Sequence, residues 1–224
     1  MKLEIRCPKC GQAYKMNVDE DFFKGKPTVC PNNHEYYFYT ETPKYAILFN
    51  LSIEAYKNEY YFEAFQTLYT GFEVFKQDFV ASYYYNKCND WEKVGNLIAK
   101  LKRSDQIDGA YSLAYSEEFG ELPMSISNRL VTKRNNIIHN GEIPSKTEIL
   151  KLGNTVFKFV CETLVNNSFS NEYYQQLVER TLNNATEKSF SLSSFVGLPI
   201  IDVYSQFKDN NDTDNLFEYY VYNT

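Results

Sequence analysis

The sequence predicts a mainly α protein with a small β segment at its N-terminus and a short β-like tail at its C-terminus. Three observations predict it: paired metal-ligand spacings among short β-like runs at the start, helical periodicity from about residue 43 to 188, and alternating apolar residues after Ser189. The expected organisation is residues 1–42, residues 43–188 and an extension over 189–224.

The opening segment holds Cys7-Pro8-Lys9-Cys10-Gly11 and, further on, Cys30-Pro31-Asn32-Asn33-His34. Two residues between Cys7 and Cys10 let both thiolates face one metal, and Cys30 with His34 supplies the second pair of ligands. These four donors define a structural zinc site, and the flanking runs Leu3 to Ile5 and Tyr36 to Tyr39 make the segment a zinc ribbon. Four protein ligands leave no open position for a catalytic water, so no catalytic metal is expected.

From Pro43 the apolar residues recur at helical spacing. The pattern predicts helices over Tyr45 to Lys57, Tyr61 to about Tyr85, a third capped by Asn89 or Asp90 and running through Trp91 to Leu101, and a fourth near Ile107 to Phe119. The second carries Phe62, Phe65, Leu68, Tyr69, Phe72, Phe75 and Phe79 along one face. Aromatic residues make up 17% of the chain, and on such helices they are core before they are anything else. A fifth helix is predicted from Met124 to His139, stopped by Asn140 and Gly141. Ser145 and Glu148 form a capping box that opens a sixth helix reaching about Leu164, and a seventh follows from about Asn171 to Thr186. The alternating residues Ile200, Ile201 and Val203, then Phe217, Tyr219 and Val221, read as a hairpin or strand-like tail.

The net charge of −6 excludes a protein that coats nucleic acid through bulk positive charge. That acidity sits mainly in residues 189–224, with one basic and five acidic side chains, so a local basic site in the helical segment stays open and the tail could lie across it. No charged leader followed by an apolar stretch occurs, nor any run of about 18 apolar residues, and the scattered Cys88 and Cys161 do not suit a disulfide framework. The expectation is a cytoplasmic protein without membrane contact.

The chain has two histidines, one of them a zinc ligand, and the other is His139 in Arg134-Asn135-Asn136-Ile137-Ile138-His139-Asn140-Gly141. At about 100° per residue, Leu130, Val131, Ile137 and Ile138 define an apolar stripe with Arg134 near its middle, whereas Asn128, Thr132, Asn135 and His139 define an adjacent polar stripe. Arg134 and His139 then lie about 140° apart. A guanidinium on an apolar face needs a partner anion or a wet cleft. One reading pairs Arg134 with a helix carboxylate such as Glu73 and leaves His139 to cap the helix; another gives both residues a phosphate to act on.

Arg134, the polar Asn135, three more residues and His139, on a late helix followed by Gly141 and by a Pro144-Ser145 helix start, resemble the HEPN superfamily. The similarity covers about residues 43–188 and includes the helix around Ala64 to Phe79, similar to the Glu-containing second helix of that superfamily. The resemblance implies a HEPN-like helical bundle, a homodimer, and a metal-independent endoribonuclease of toxin–antitoxin, abortive-infection or other antiviral type. Its catalytic residues would be Arg134, Asn135 and His139, its substrate RNA, and its partner an antitoxin or regulatory protein. The alternative is a non-catalytic HEPN and zinc-ribbon module that binds a protein or RNA.

Overall fold

The computed structural model describes residues 2–40, 42–165, 192–195 and 214–223. They form a mainly helical protein with a small N-terminal β region, as the sequence predicts. The chain divides into two compact units, residues 1–44 with 168–198 and residues 45–167 with 199–224. The tail expected as one extension over 189–224 is therefore shared between them. The expected helix over Asn171 to Thr186 and the residues Ile200, Ile201 and Val203 lie outside the described residues.

In the first unit, β1 (Lys2–Arg6) and β2 (Ala13–Asn17) pair antiparallel, with Ile5 opposite Tyr14 and Leu3 opposite Met16. Period-two geometry puts these four on one face, where Ile5 and Met16 are buried. A short helix, α1 (Glu20–Lys24), starts where the Asp19 carboxylate accepts from the Phe22 amide at 2.9 Å, and it buries Phe22 against the Phe38 ring at 4.8 Å. Strands β3 (Lys26–Val29) and β4 (Glu35–Thr40) form a second antiparallel pair, and β5 (Leu192–Phe195) adds parallel to the free side of β4. That central position explains why Tyr36, Tyr37, Phe38, Tyr39 and Thr40 are all buried instead of alternating.

The second unit is a bundle of α2 (Lys44–Lys57), α3 (Tyr61–Cys88), α4 (Trp91–Ile98), α5 (Ser104–Phe119), α6 (Asn128–Asn140), α7 (Lys146–Val165) and α8 (Leu216–Asn223). Helix α3 is its spine. Phe65, Leu68, Tyr69, Phe72, Phe75, Phe79 and Tyr83 recur at three- and four-residue spacing, all are buried, and they face α5 and α7. A Cβ at Gly71 would come within 2.8 Å of the buried Phe49 ring, so a glycine is required there on α3. Asp90 caps α4 through the Lys93 amide at 3.0 Å, while Asn89, the other cap candidate, ends α3 in the left-handed region.

Two expectations need correction. Helix α6 begins at Asn128 and not at Met124: the residues after Pro123 run outside the helix up to Ser127, which takes the N-cap position in extended conformation. The residues Phe217, Tyr219 and Val221 are helical, not strand-like. In so short a stretch their alternation competes with the spacing of Phe217, Tyr220 and Val221, and packing decides for the helix. Gly153 on α7 clears a floor for the Phe217 ring, which would meet a Cβ there at 2.2 Å. The Asn154 side-chain oxygen accepts from the backbone N–H groups of Phe217 and Glu218 at 2.9 and 3.1 Å, capping α8 from a neighbouring helix. No helix among the described residues is long and apolar enough to cross a membrane.

Candidate functional site

The four ligands predicted in the ribbon converge. Cys7 and Cys10 lie in the turn between β1 and β2, closed by the Gly11 amide on the Cys7 carbonyl at 2.9 Å with Gly11 at φ +70°. Cys30 and His34 lie in the turn between β3 and β4, where Cys30 N–H donates to the His34 carbonyl at 3.1 Å. All four ligand atoms fall within 4.8 Å of one another. The Cys10–Cys30 sulfur separation is 3.9 Å, and His34 Nδ1 lies 3.5 Å from Cys30 Sγ and 3.9 Å from Cys7 Sγ. A tetrahedron with zinc–sulfur bonds of about 2.3 Å has edges of about 3.8 Å. The residues present therefore fit a zinc ion. The Gln12 amide and then the Asn32 side chain hold the Cys10 thiol down to about 6, favouring the thiolate a metal needs.

In the second unit, α6 presents its residues to two environments. Gly141 ends the helix in the left-handed conformation, its amide donating to the Asn136 carbonyl, and Lys133 is anchored by Glu142 and, at 2.9 Å, by Glu148 on the first turn of α7. Ser145 and Glu148 make the capping box the sequence predicts: the Ser145 amide donates to Glu148 at 2.8 Å, and the Glu148 amide donates to Ser145 Oγ at 3.3 Å. Burial works to raise the Glu148 carboxyl, but the Ser145 amide and Lys133 overcome it and hold the group down at about 2.

Arg134 turns inward toward α3 and α5, its side chain and that of Glu73 both 19% exposed. Its Nη2 donates to Glu73 Oε1 at 3.5 Å and to Ser104 Oγ at 3.2 Å, its Nη1 donates to Asn135 Oδ1 at 3.0 Å, and its guanidinium carbon lies 5.2 Å from the Tyr69 ring centre. Ser104 also donates to Glu73, so one hydroxyl bridges the guanidinium and the carboxylate. The buried Nε of Arg134 has no hydrogen-bond partner among the described residues. Burial, and next Glu73, push the Tyr69 phenol up to about 12, with Arg134 opposing.

His139 is exposed, and its ring makes no hydrogen bond or ion pair among the described residues. Asn135 is exposed and is tied to Arg134. Within one chain the structure thus joins Arg134 to Asn135 and Glu73 but makes no bond between Arg134 and His139, consistent with their angular separation on the helix. Glu73 was legible as a partner from the sequence. Ser104 and Tyr69 were not: Ser104 lies ahead of the helix expected near Ile107 to Phe119 and carries no signal of its own, and Tyr69 reads only as one more ring of the α3 stripe. Compared with known proteins, the chain matches no protein-family model, no curated protein and no solved structure.

Proposed function

We propose that this chain is a metal-independent endoribonuclease of the HEPN type, a cytoplasmic toxin or antiviral effector held in check by an antitoxin or regulatory protein. The observation that supports this most is on α6, which carries an oriented guanidinium and a solvent-open imidazole in the order Arg134, Asn135, His139. In this reading a base takes the proton of an RNA 2′-hydroxyl, the oxygen attacks the adjacent phosphorus, and an acid protonates the departing 5′-oxygen, leaving a 2′,3′-cyclic phosphate. His139 suits either proton transfer, and Arg134 suits the charge that builds on the phosphorane. One chain offers one such histidine, so two copies related by a twofold axis would bring His139 to a shared cleft twice. The zinc is structural, because Cys7, Cys10, Cys30 and His34 fill its coordination.

A second reading has its own support. Glu73, Ser104 and Asn135 already occupy Arg134 donors, as a purely architectural arginine would require. The chain would then be a non-catalytic module that binds RNA or protein. Incubating purified protein with total RNA, with and without EDTA and with zinc content measured in parallel, separates the two. The nuclease reading expects cleavage that survives EDTA as long as the ribbon keeps its zinc. Intact RNA under all conditions supports the module.

A further inference from the structure

Tyr69 also lines a half-open cavity of about 370 Å³, bordered by α3, α5, α6, α7 and the segment before α6. Its volume falls in the range of small-molecule pockets, roughly 300–1,000 Å³. The walls include Tyr69, Phe72, Tyr111 and Phe159, and among these rings sit Lys76 and Asp108. Lys76 is 3% exposed, its ammonium is 4.3 Å from the Phe72 ring centre, and it is ion-paired with Asp108, which is 49% exposed. Among the described residues Asp108 is the one hydrogen-bond partner of the Lys76 ammonium, which leaves two of three N–H donors over, and the second carboxylate oxygen of Asp108 makes no hydrogen bond.

Lys76 is buried while its partner is half-exposed, and burying a charge stabilises poorly, so that apolar replacements of the same volume often do as well or better. The pair's presence in an aromatic cavity, with a spare donor beside a spare acceptor, is the pattern of a site that recognises something. The Tyr69 and Phe72 rings stand at 75° and the Phe72 and Phe159 rings at 88°, so an aromatic ring entering the cavity meets ring edges as well as faces.

We propose that this cavity takes one base of the RNA strand, and that the base is guanine. This rests on the ribonuclease reading, since RNA supplies the base. Guanine alone places an acceptor, O6, beside two donors, N1–H and N2–H; Lys76 would donate to the first and the Asp108 carboxylate accept from the other two. The cavity and Arg134 share Tyr69, and Val131, one turn before Asn135, lines the cavity from α6. In the ribonuclease reading a guanine held there would sit near the nucleotide whose phosphate Arg134 meets, and the enzyme would cut next to guanine.

The test is calorimetric binding of four 2′-O-methyl uridine hexamers that carry G, A, C or U at one central position, alongside the four free ribonucleoside monophosphates. The guanine hexamer is expected to bind about 5- to 100-fold tighter than the others. The double variant Lys76→Met with Asp108→Leu removes the pair without stranding a charge and should keep its melting temperature while losing the preference. Ser112→Phe, which fills the cavity from α5, should lose it too. Equal affinity for the four hexamers in the wild type, or a preference retained in both variants, overturns the proposal. Guanosine monophosphate binding without any hexamer preference overturns it in favour of a free nucleotide ligand. A guanine preference with unmodified RNA left uncut defeats the nuclease reading and spares the pocket, whereas cleavage indifferent to guanine does the reverse.

Discussion

Replacing Glu73 by Gln measures how far Arg134 depends on its carboxylate. The two side chains are each about four-fifths buried and their charged atoms are 3.5 Å apart, so the pair is neither a solvent-exposed ion pair nor a fully dehydrated one. A hydrogen bond to a charged group contributes about 1.5–3 kcal/mol, and the long separation puts this one at the lower end. The amide of Gln still accepts from Ser104, so the loss is mainly the charge that offsets the guanidinium. A cost of about 1–2 kcal/mol follows, which in a protein of 150–250 residues lowers the melting temperature by about 2–8 °C. The companion Arg134→Ala removes the charge as well, together with its packing on Tyr69. The assay is a thermal melt of wild type, both single variants and the double variant, read as a cycle. If the pair is real, the double variant is less destabilised than the two single changes added together. Strict additivity, or a Glu73→Gln protein as stable as wild type, would refute the pairing and with it the idea that α3 orients the arginine.

Three further outcomes are expected. Metal analysis of folded protein should give one zinc per chain, and Cys30→Ala should unfold the β1–β4 region as seen by loss of its amide protection, because a ribbon of this size lacks the core to stand without its metal. Glu148 titrates at about 2 when folded against an ordinary 4.5, so it adds stability above pH 4.5 that is lost as the pH falls toward 2; acid-unfolding curves of Glu148→Gln should lack that slope, and an unchanged curve would speak against the Lys133 and Ser145 contacts. Gly153→Ala drives a methyl into the Phe217 ring and should cost about 1–3 kcal/mol, with α8 becoming susceptible to limited proteolysis; a fully protected α8 would contradict its docking.

Much of this architecture is legible because local chemistry and packing agree. The six helices predicted between Tyr45 and Leu164 are all present, since aromatic residues at three- and four-residue spacing, Asp90, the Ser145–Glu148 box and Gly141 each state a boundary in local terms. The ribbon ligands are equally plain, because metal geometry restricts their spacing. What eluded the sequence is what depends on distant partners. Nothing near Leu192 announces that it pairs with Tyr37, and nothing near Phe217 shows that Gly153 and Asn154 await it. For the same reason the division of the 189–224 extension goes unannounced: β5 joins the first unit and α8 the second, where Asp214 meets Lys158 at 2.8 Å. In the candidate site, helical angles correctly separate Arg134 from His139, and the carboxylate near Arg134 is the one the sequence suggests. Ser104 enters only because α5 brings it to α3 across 31 residues of chain.

The central claim is that His139 moves a proton in RNA cleavage. The direct measurement compares the single-turnover cleavage rate of folded wild type and folded His139→Ala on an RNA whose cut ends are mapped. The account predicts a loss of about 10²- to 10⁴-fold with the zinc retained, 2′,3′-cyclic phosphate ends in the wild type, and no cutting where a 2′-deoxy residue precedes the scissile phosphate. Cleavage by His139→Ala at the wild-type rate, or a wild type that never cuts RNA, would contradict it.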